Sequence, residues 1–264
     1  MKKLLLLCIA LVAVLTSCAN DDDSILEDSL VLPQTITYTY PVISPGTNEK
    51  NTLTFDGNKI VSIVEFGSKV TFTYSGDFII KQEAFDVDQQ GKETKHSEVG
   101  YFYENGKLKT RTFTDGISVN NPDGLYFDKT VYTYSSNELI SYVNSSVDNN
   151  TKKEIKTSEG TLTYKGDNLV KDQQKFDSVT ITLSYEYDTK YNPLKNILGF
   201  NLLLNEISEF GKNNIVKTIR TSSDNTNIAV YLTSYIYNES DYPTKHTSFA
   251  GDGKSIEYEI EYTY

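Results

Sequence analysis

One short phrase recurs along this chain, and a repeat of this kind constrains the fold more than any other feature. It consists of an apolar residue, a spacer, an aromatic residue, a turn built from Gly, Asn or Asp, and an apolar residue that opens the next segment. Leu53-Thr54-Phe55-Asp56-Gly57-Asn58-Lys59-Ile60 is one instance, and Tyr101-Phe102-Tyr103-Glu104-Asn105-Gly106-Lys107-Leu108 is another. Residues 36–40, 72–78, 132–139, 162–169, 185–188 and 235–238 repeat it. Residues 209–215 are a degraded copy, and residues 258–264 end the chain on a half-unit. From Tyr74 the aromatic position returns at Tyr103, Tyr134 and Tyr164, at intervals of 29, 31 and 30 residues.

Successive residues of a strand face opposite sides, so Tyr38 and Tyr40 share one face while Thr37 and Thr39 share the other. Asp56-Gly57 and Asn105-Gly106 supply the positive φ angles that tight hairpins demand. Each unit reads as strand, turn, strand, and consecutive units join antiparallel, which gives a meander of roughly sixteen to twenty strands. The pairs Tyr38/Tyr40, Tyr101/Tyr103, Tyr132/Tyr134, Tyr185/Tyr187 and Tyr235/Tyr237 are expected on one face, because register fixes which way each residue points. A single sheet of that length rarely stays open and flat. The expected fold is therefore all-β, a long antiparallel meander of repeated hairpins curled into a barrel or half-barrel. In such a fold the tyrosine face is a packed interior; in an open sheet it is a wet stacking surface.

One segment breaks the meander. Asn192 stands where it can cap a helix with Pro193 at the first position. Leu194, Ile197, Leu198, Leu202 and Leu204 follow with ragged helical spacing before Gly211. A short helix or apolar loop is expected over residues 193–204, either as a plug over an open end of the sheet or as a lid over a ligand cavity. The run Tyr187-Asp188-Thr189-Lys190-Tyr191-Asn192-Pro193-Leu194-Lys195-Asn196-Ile197 resembles Bacteroidota lipoproteins of unknown function, which are described as having a porin-like β fold. The units are also similar to distant YD (Rhs-type) repeats. The resemblance covers residues 34–264 and rests mainly on turn chemistry. It implies a fold and brings no catalytic residue with it.

The N-terminus says where the chain goes. Lys2 and Lys3 precede an apolar run from Leu4 to Leu15, and small residues precede Cys18. That order reads as a cleaved export signal, and the run is shorter than the roughly 20 residues that cross a bilayer. Leu15-Thr16-Ser17-Cys18 resembles the bacterial lipobox, whose cysteine is diacylated through its sulfur and becomes the new N-terminus. The expected division is a signal peptide over residues 1–17, an acidic tether over 18–33 and a single repeat-built β domain over 34–264. Ala19 departs from the Asp that keeps some lipoproteins in the inner membrane. Asp21, Asp22 and Asp23 resemble the surface-export signal of Bacteroidota lipoproteins; the plain alternative is a solvated tether. Asp23-Ser24-Ile25, Asp28-Ser29-Leu30 and Asp177-Ser178-Val179 resemble the O-glycan acceptor pattern of that phylum. Ser24 and Ser29, in the tether, are the candidate acceptors.

Without residues 1–17 the chain carries 23 basic against 36 acidic residues, a net charge of −13. Phosphate contacts need Lys and Arg, so no nucleic-acid partner is expected. Cys8 leaves with the signal and the lipid occupies Cys18, so the mature domain forms no internal disulfide. Twenty Tyr and 12 Phe with no Trp favour strands. His96 and His246 stand far apart with no metal-binding spacing. Asp86-x-Asp88-x-Gln90-Gly91 imitates the start of a calcium loop, but Ser97 falls where the bidentate Glu should be, which favours a hairpin turn. Glu257, Glu259 and Glu261 alternate with Tyr258, Ile260 and Tyr262; this is the pattern of a wet strand face, although paired carboxylates also serve glycoside hydrolysis. No catalytic, metal-binding or cofactor-binding residue is assigned, and no cofactor is expected.

Two functional readings remain. The first is a lipid-anchored outer-membrane protein, displayed at the cell surface, that binds a glycan or an envelope protein without catalysis. The second is an extracellular enzyme that acts on a polymer such as a glycan through clustered carboxylates. A membrane-spanning barrel is disfavoured, because Lys, Glu and Thr interrupt most rows that would face lipid.

Overall fold

Among the described residues of the computed structural model, which are 30–41, 46–148, 151–207 and 210–264, sixteen antiparallel strands close into a barrel in sequence order. They are β1 (Thr35–Thr39), β2 (Asn48–Asp56), β3 (Lys59–Glu65), β4 (Ser68–Ser75), β5 (Phe78–Val87), β6 (Glu93–Glu104), β7 (Lys107–Asp115), β8 (Tyr126–Tyr134), β9 (Leu139–Val147), β10 (Glu154–Lys165), β11 (Asn168–Phe176), β12 (Val179–Tyr191), β13 (Asn213–Ser222), β14 (Asn225–Tyr237), β15 (Pro243–Phe249) and β16 (Ile256–Thr263). The meander expected from the repeat is thus complete, and pairing of β1 with β16 closes it from Thr35↔Thr263 to Thr39↔Glu259. The barrel lies within a unit spanning Val31–Tyr264.

The turns carry the chemistry that the repeat advertises. At the β6–β7 hairpin both Asn105 and Gly106 adopt positive φ, 52° and 75°. At the β2–β3 hairpin Gly57 adopts it, at 60°, while Asp56 remains the last residue of its strand. These tight turns lie at one end of the barrel. The opposite end, here called the mouth, carries connections such as 88–92 and 116–125. In the first of these the Asp88 carboxylate accepts the Gln90 and Lys92 amides at 2.9 and 2.8 Å, so the calcium-like run is a hairpin turn.

Alternation sends the aromatic face inward. Tyr132 is 1% exposed, and Tyr101, Tyr103, Tyr134 and Tyr185 pack against the same core as Leu53, Ile60 and Leu108. The two halves of the repeated phrase also bind one another across strands. Tyr103 donates to the Ile79 carbonyl at 2.9 Å, Tyr134 to Leu108 at 3.0 Å, Tyr187 to Leu169 at 2.7 Å and Tyr235 to Ile215 at 2.9 Å. Each acceptor belongs to an apolar residue at the start of the neighbouring strand. Buried hydroxyls need such partners. Burial pushes the Tyr134 hydroxyl pKa up to about 12.

The segment between β12 and β13 turns into the lumen and plugs the tight-turn end. It is built of turns and two short 3-10 stretches, Phe200–Leu202 and Leu204–Glu206, which is the apolar-loop form of the expectation. The Asn192 side chain caps its start by accepting the Leu194 amide at 2.9 Å. A helix does not form because Gly199 and Leu204 adopt positive φ, 85° and 58°. At Gly199 an added Cβ would also stand 3.1 Å from the Asp77 carbonyl oxygen, so the close approach needs glycine. Ile197, Phe200 and Leu203 bury themselves at 2%, 3% and 0% exposure. Leu198 is tied to the wall on both sides, its amide to Asn58 at 2.9 Å and its carbonyl to the Tyr74 hydroxyl at 3.0 Å.

The outer wall is polar around much of its circumference. Thr133, Ser141, Thr161, Gln173, Thr182 and Thr221 are direct neighbours across six consecutive strands, β8 to β13. On β5 and β6, Glu83 is bridged by Lys81 at 3.0 Å and by Lys95 at 2.7 Å. Glu259 and Glu261 on β16 likewise face out, beside Lys245, while Ile260 between them is buried. Glu259 and Glu261 therefore give the last strand the wet face that its alternation implies, while Glu257, at a register shift, lines the lumen instead.

The packed interior makes a quantitative demand. Tyr134→Ala is expected to cost on the order of 3 kcal/mol by analogy with large core truncations, and Tyr134→Phe, which loses only the bond to Leu108, about 1 kcal/mol. Urea unfolding measures both. A loss below about 1 kcal/mol for the alanine variant would show that the tyrosine face is not a packed interior.

Candidate functional site

Above the plug the lumen remains open as two adjoining cavities of about 450 and 470 Å³. Asp172, Asn205 and Glu206 line both. The tip of the plug therefore forms a shared floor and ridge, so the segment takes the plug role and does not form a lid over the cavity. Such volumes lie within the range of small-molecule sites, roughly 300–1,000 Å³.

The first cavity lies against β7 to β11 and is lined by polar groups. Thr130 donates to the Asn144 carbonyl oxygen at 2.8 Å, and Asn144 donates to the Ser158 hydroxyl at 2.9 Å. Gln174 donates to the same hydroxyl at 2.9 Å. This ladder crosses four consecutive strands, each contributing one inward residue. The second cavity lies against β11 to β16, where Tyr185, Tyr231, Tyr235 and Tyr258 line the wall with Leu183 and Phe210.

Two carboxylates meet at the ridge, and each is held. Glu206 receives the Arg111 guanidinium at 2.6 Å and the Tyr132 hydroxyl at 2.7 Å. Asp172 receives the Tyr142 hydroxyl at 2.9 Å and the Asn205 amide at 3.4 Å. Burial pushes the Asp172 carboxyl above its usual range, a shift that its two hydrogen bonds oppose. Burial also pushes the Tyr132 hydroxyl well up, with the Glu206 charge adding to the effect. Tyr142 reaches Asp172 because its cross-strand neighbour is Gly160. A Cβ there would stand 2.2 Å from the ring's Cζ.

His246 faces the lumen on β15 at 1% exposure, within 5.0 Å of the Tyr235 ring and 5.5 Å of the Tyr258 ring. Burial pushes its pKa down to about 4. His96 is on β6 near Asp115, with Nδ1 4.0 Å from the carboxylate, and the fold does not bring the two histidines together. Among the described residues no three His, Cys, Asp or Glu side chains converge as a metal site. Cys18, Asp21, Asp22, Asp23, Ser24 and Ser29 lie outside the described residues. Ser178, of the third acceptor-like triplet, sits exposed in the β11–β12 turn.

The sequence did not single out Arg111, Asp172, Gln174, Asn205 or Glu206. Lys171-Asp172-Gln173-Gln174-Lys175 is polar at every position, so its inward residues leave no alternating signature. The one available signal was Gly160, a glycine inside a strand, which marks a close approach by another group.

No protein family matches the chain, and neither does any curated protein. Among solved structures it is similar to a porin-like protein from Bacteroides vulgatus ATCC 8482, with a TM-score of 0.62 at 14% identity, over 89% of this chain and 98% of that one. It also aligns with a porin-like protein from Bacteroides uniformis ATCC 8492, with a TM-score of 0.47 at 12% identity, over 88% and 97% of the two chains. The first likeness establishes a shared porin-like barrel fold, in agreement with the fold implied by the sequence resemblance.

Two outcomes follow from this geometry. Gly160→Ala should displace the Tyr142 ring and cost about 1–3 kcal/mol by overpacking. Gly251→Ala, where an added Cβ meets nothing, should be close to neutral in the same unfolding assay. His246 titrates near 6.5 when unfolded and near 4 when folded. The unfolded chain therefore takes up the proton first as pH falls, and stability is lost through that window. Between pH 7 and pH 4.5 the wild type should lose about 2–3 kcal/mol more than His246→Phe. Equal losses in the two proteins would mean that the histidine is solvated.

Proposed function

We propose that this chain is a lipid-anchored outer-membrane protein, displayed at the cell surface, whose barrel stands in water and binds a ligand without catalysis. The observation that carries this reading is the outer wall. A membrane-spanning barrel needs an outward apolar band about 25 Å tall. Here a row of Thr, Ser and Gln crosses six of the sixteen strands at the wall, and Lys–Glu bridges stand on β5 and β6. A wall of this kind needs another source of membrane affinity, and acylation of Cys18 supplies it.

The plug supports binding over conduction, because Ile197, Phe200 and Leu203 fill the tight-turn end of the lumen. Asp172 and Glu206 at one cavity favour the enzymatic alternative. The grip of Arg111 and Tyr132 on Glu206 argues against it, since both partners would have to be displaced before that carboxylate could reach a substrate.

The test exchanges the export signal for one cleaved without acylation and carries Cys18→Ser. The wild type should take up labelled palmitate and stay with membranes after alkaline carbonate extraction, whereas the variant should be released as a folded soluble protein. Retention of the unacylated variant in the carbonate-washed pellet would overturn the water-facing reading. Replacing Asp21, Asp22 and Asp23 by alanine should leave the label in place and protect the protein from protease added to intact cells. Unchanged shaving would reduce the acidic run to a spacer.

A further inference from the structure

The lumen carries two kinds of wall that meet at one ridge. The first wall is the hydrogen-bonded ladder of Thr130, Asn144, Ser158 and Gln174. A primary amide has two N–H donors and a carbonyl acceptor. Gln174 uses one donor on Ser158, and its remaining valences line the cavity. Asn144 uses its carbonyl on Thr130 and one donor on Ser158. The ladder fixes these groups on adjacent strands, so they are presented in an ordered array. The second wall, with Tyr185, Tyr231, Tyr235 and Tyr258, offers aromatic area with polar tips.

Charge decides the ligand class. An anion entering the lumen meets the Asp172 and Glu206 carboxylates. At the ridge a cation finds both carboxylates already occupied, Glu206 by Arg111 and Tyr132, and Asp172 by Tyr142 and Asn205, and the other acids of the lining, Asp128 and Glu257, stand apart, one at each cavity. Displacing these partners would strand buried polar groups, which costs more than the new contact returns. A neutral ligand avoids both problems. It also needs many hydroxyls for the first wall and flat apolar faces for the second. Sugar rings have both, with hydroxyls at the rim and C–H faces above and below.

We infer that the lumen is a binding site for a neutral oligosaccharide that lies across the Asp172–Glu206 ridge, with hydroxyls on the amide ladder and ring faces against the tyrosine wall. The inference rests on the binding role proposed above and names its ligand class. Asp172 and Glu206 act as acceptors and spacers at the junction, because each already holds its own donors. The mouth, opposite the plug, is the route of entry.

The acylated full-length protein in detergent micelles is titrated calorimetrically with cellotetraose, maltotetraose and chitotetraose as neutral probes. Spermine serves as the cationic probe and an oligogalacturonate as the anionic one. At least one neutral probe should bind saturably at millimolar concentration or below, and more tightly than either charged probe. Gln174→Ala and Tyr231→Ala should each weaken that binding at least about tenfold, which is about 1.4 kcal/mol, with unchanged unfolding midpoints. If either variant unfolds, hydrogen exchange of the wild type replaces it: the bound probe should slow exchange in β10, β11 and β14. Absence of neutral-probe binding, tighter binding of a charged probe, or binding that survives both folded variants would overturn the inference. A neutral probe that is bound and cleaved upholds the site and overturns the non-catalytic reading instead. The carbonate extraction described above tests the water-facing barrel independently of any probe.

Discussion

Closure of β1 onto β16 is the contact on which everything else depends. Thr35 and Thr263 are 228 residues apart, yet their hydroxyls meet at 2.8 Å. Their strands pair in continuous register. Without this seam the sheet has two edges and an exposed aromatic face, the combination that templates aggregation. With it, sixteen strands fix the circumference. A barrel of eight strands can be filled by its own side chains, while sixteen enclose a lumen that side chains cannot fill. The plug is the answer to that geometry. It fills one end with Ile197, Phe200 and Leu203 and leaves the rest of the lumen as a walled cup.

The repeated phrase acquires a mechanical meaning inside this barrel. Its aromatic residue and its post-turn apolar residue are separate parts of the motif in sequence, and hydrogen bonds join them between adjacent strands. Tyr103 to Ile79 and Tyr134 to Leu108 are two such links. Each link buries an aromatic ring and satisfies its hydroxyl with a carbonyl near the start of the neighbouring strand. A one-residue slip of register would turn the ring outward and break the link, so these bonds also pin register. Tyr164 occupies the same place in its unit, yet among the described residues its buried hydroxyl has no hydrogen-bond partner.

Most of the wall was legible because it obeys local rules. Alternation gave the facing of Tyr132 and Tyr134, and turn residues such as Asn105-Gly106 gave the hairpins. The inward tyrosine face needed only the period of a strand. The cavity was not legible, because its ridge joins Arg111, Asp172 and Glu206 from three distant stretches of chain. Only closure brings those stretches to one place. Polar residues inside a barrel look, in sequence, like polar residues outside it. Lys171, Gln173 and Lys175 face solvent while Asp172 and Gln174 face the lumen, and nothing in their composition separates the two sets. The plug was visible as an interruption, but its depth was not, since burial of Leu203 depends on a lumen that the segment itself does not define.

The ends of the chain give the cup a direction. Asn196 of the plug donates to the Val31 carbonyl at 2.9 Å, and the Tyr264 hydroxyl donates to Pro243 at 2.7 Å, beside the last tight turn. Chain entry, chain exit and plug therefore share one end of the barrel. Anionic lipid repels a domain of net negative charge, so an acylated barrel with this composition is held near a bilayer by its anchor alone. In the reading proposed above the polar wall keeps the barrel out of lipid, and a ligand that enters by the mouth meets the ladder and the tyrosines before it meets the plug.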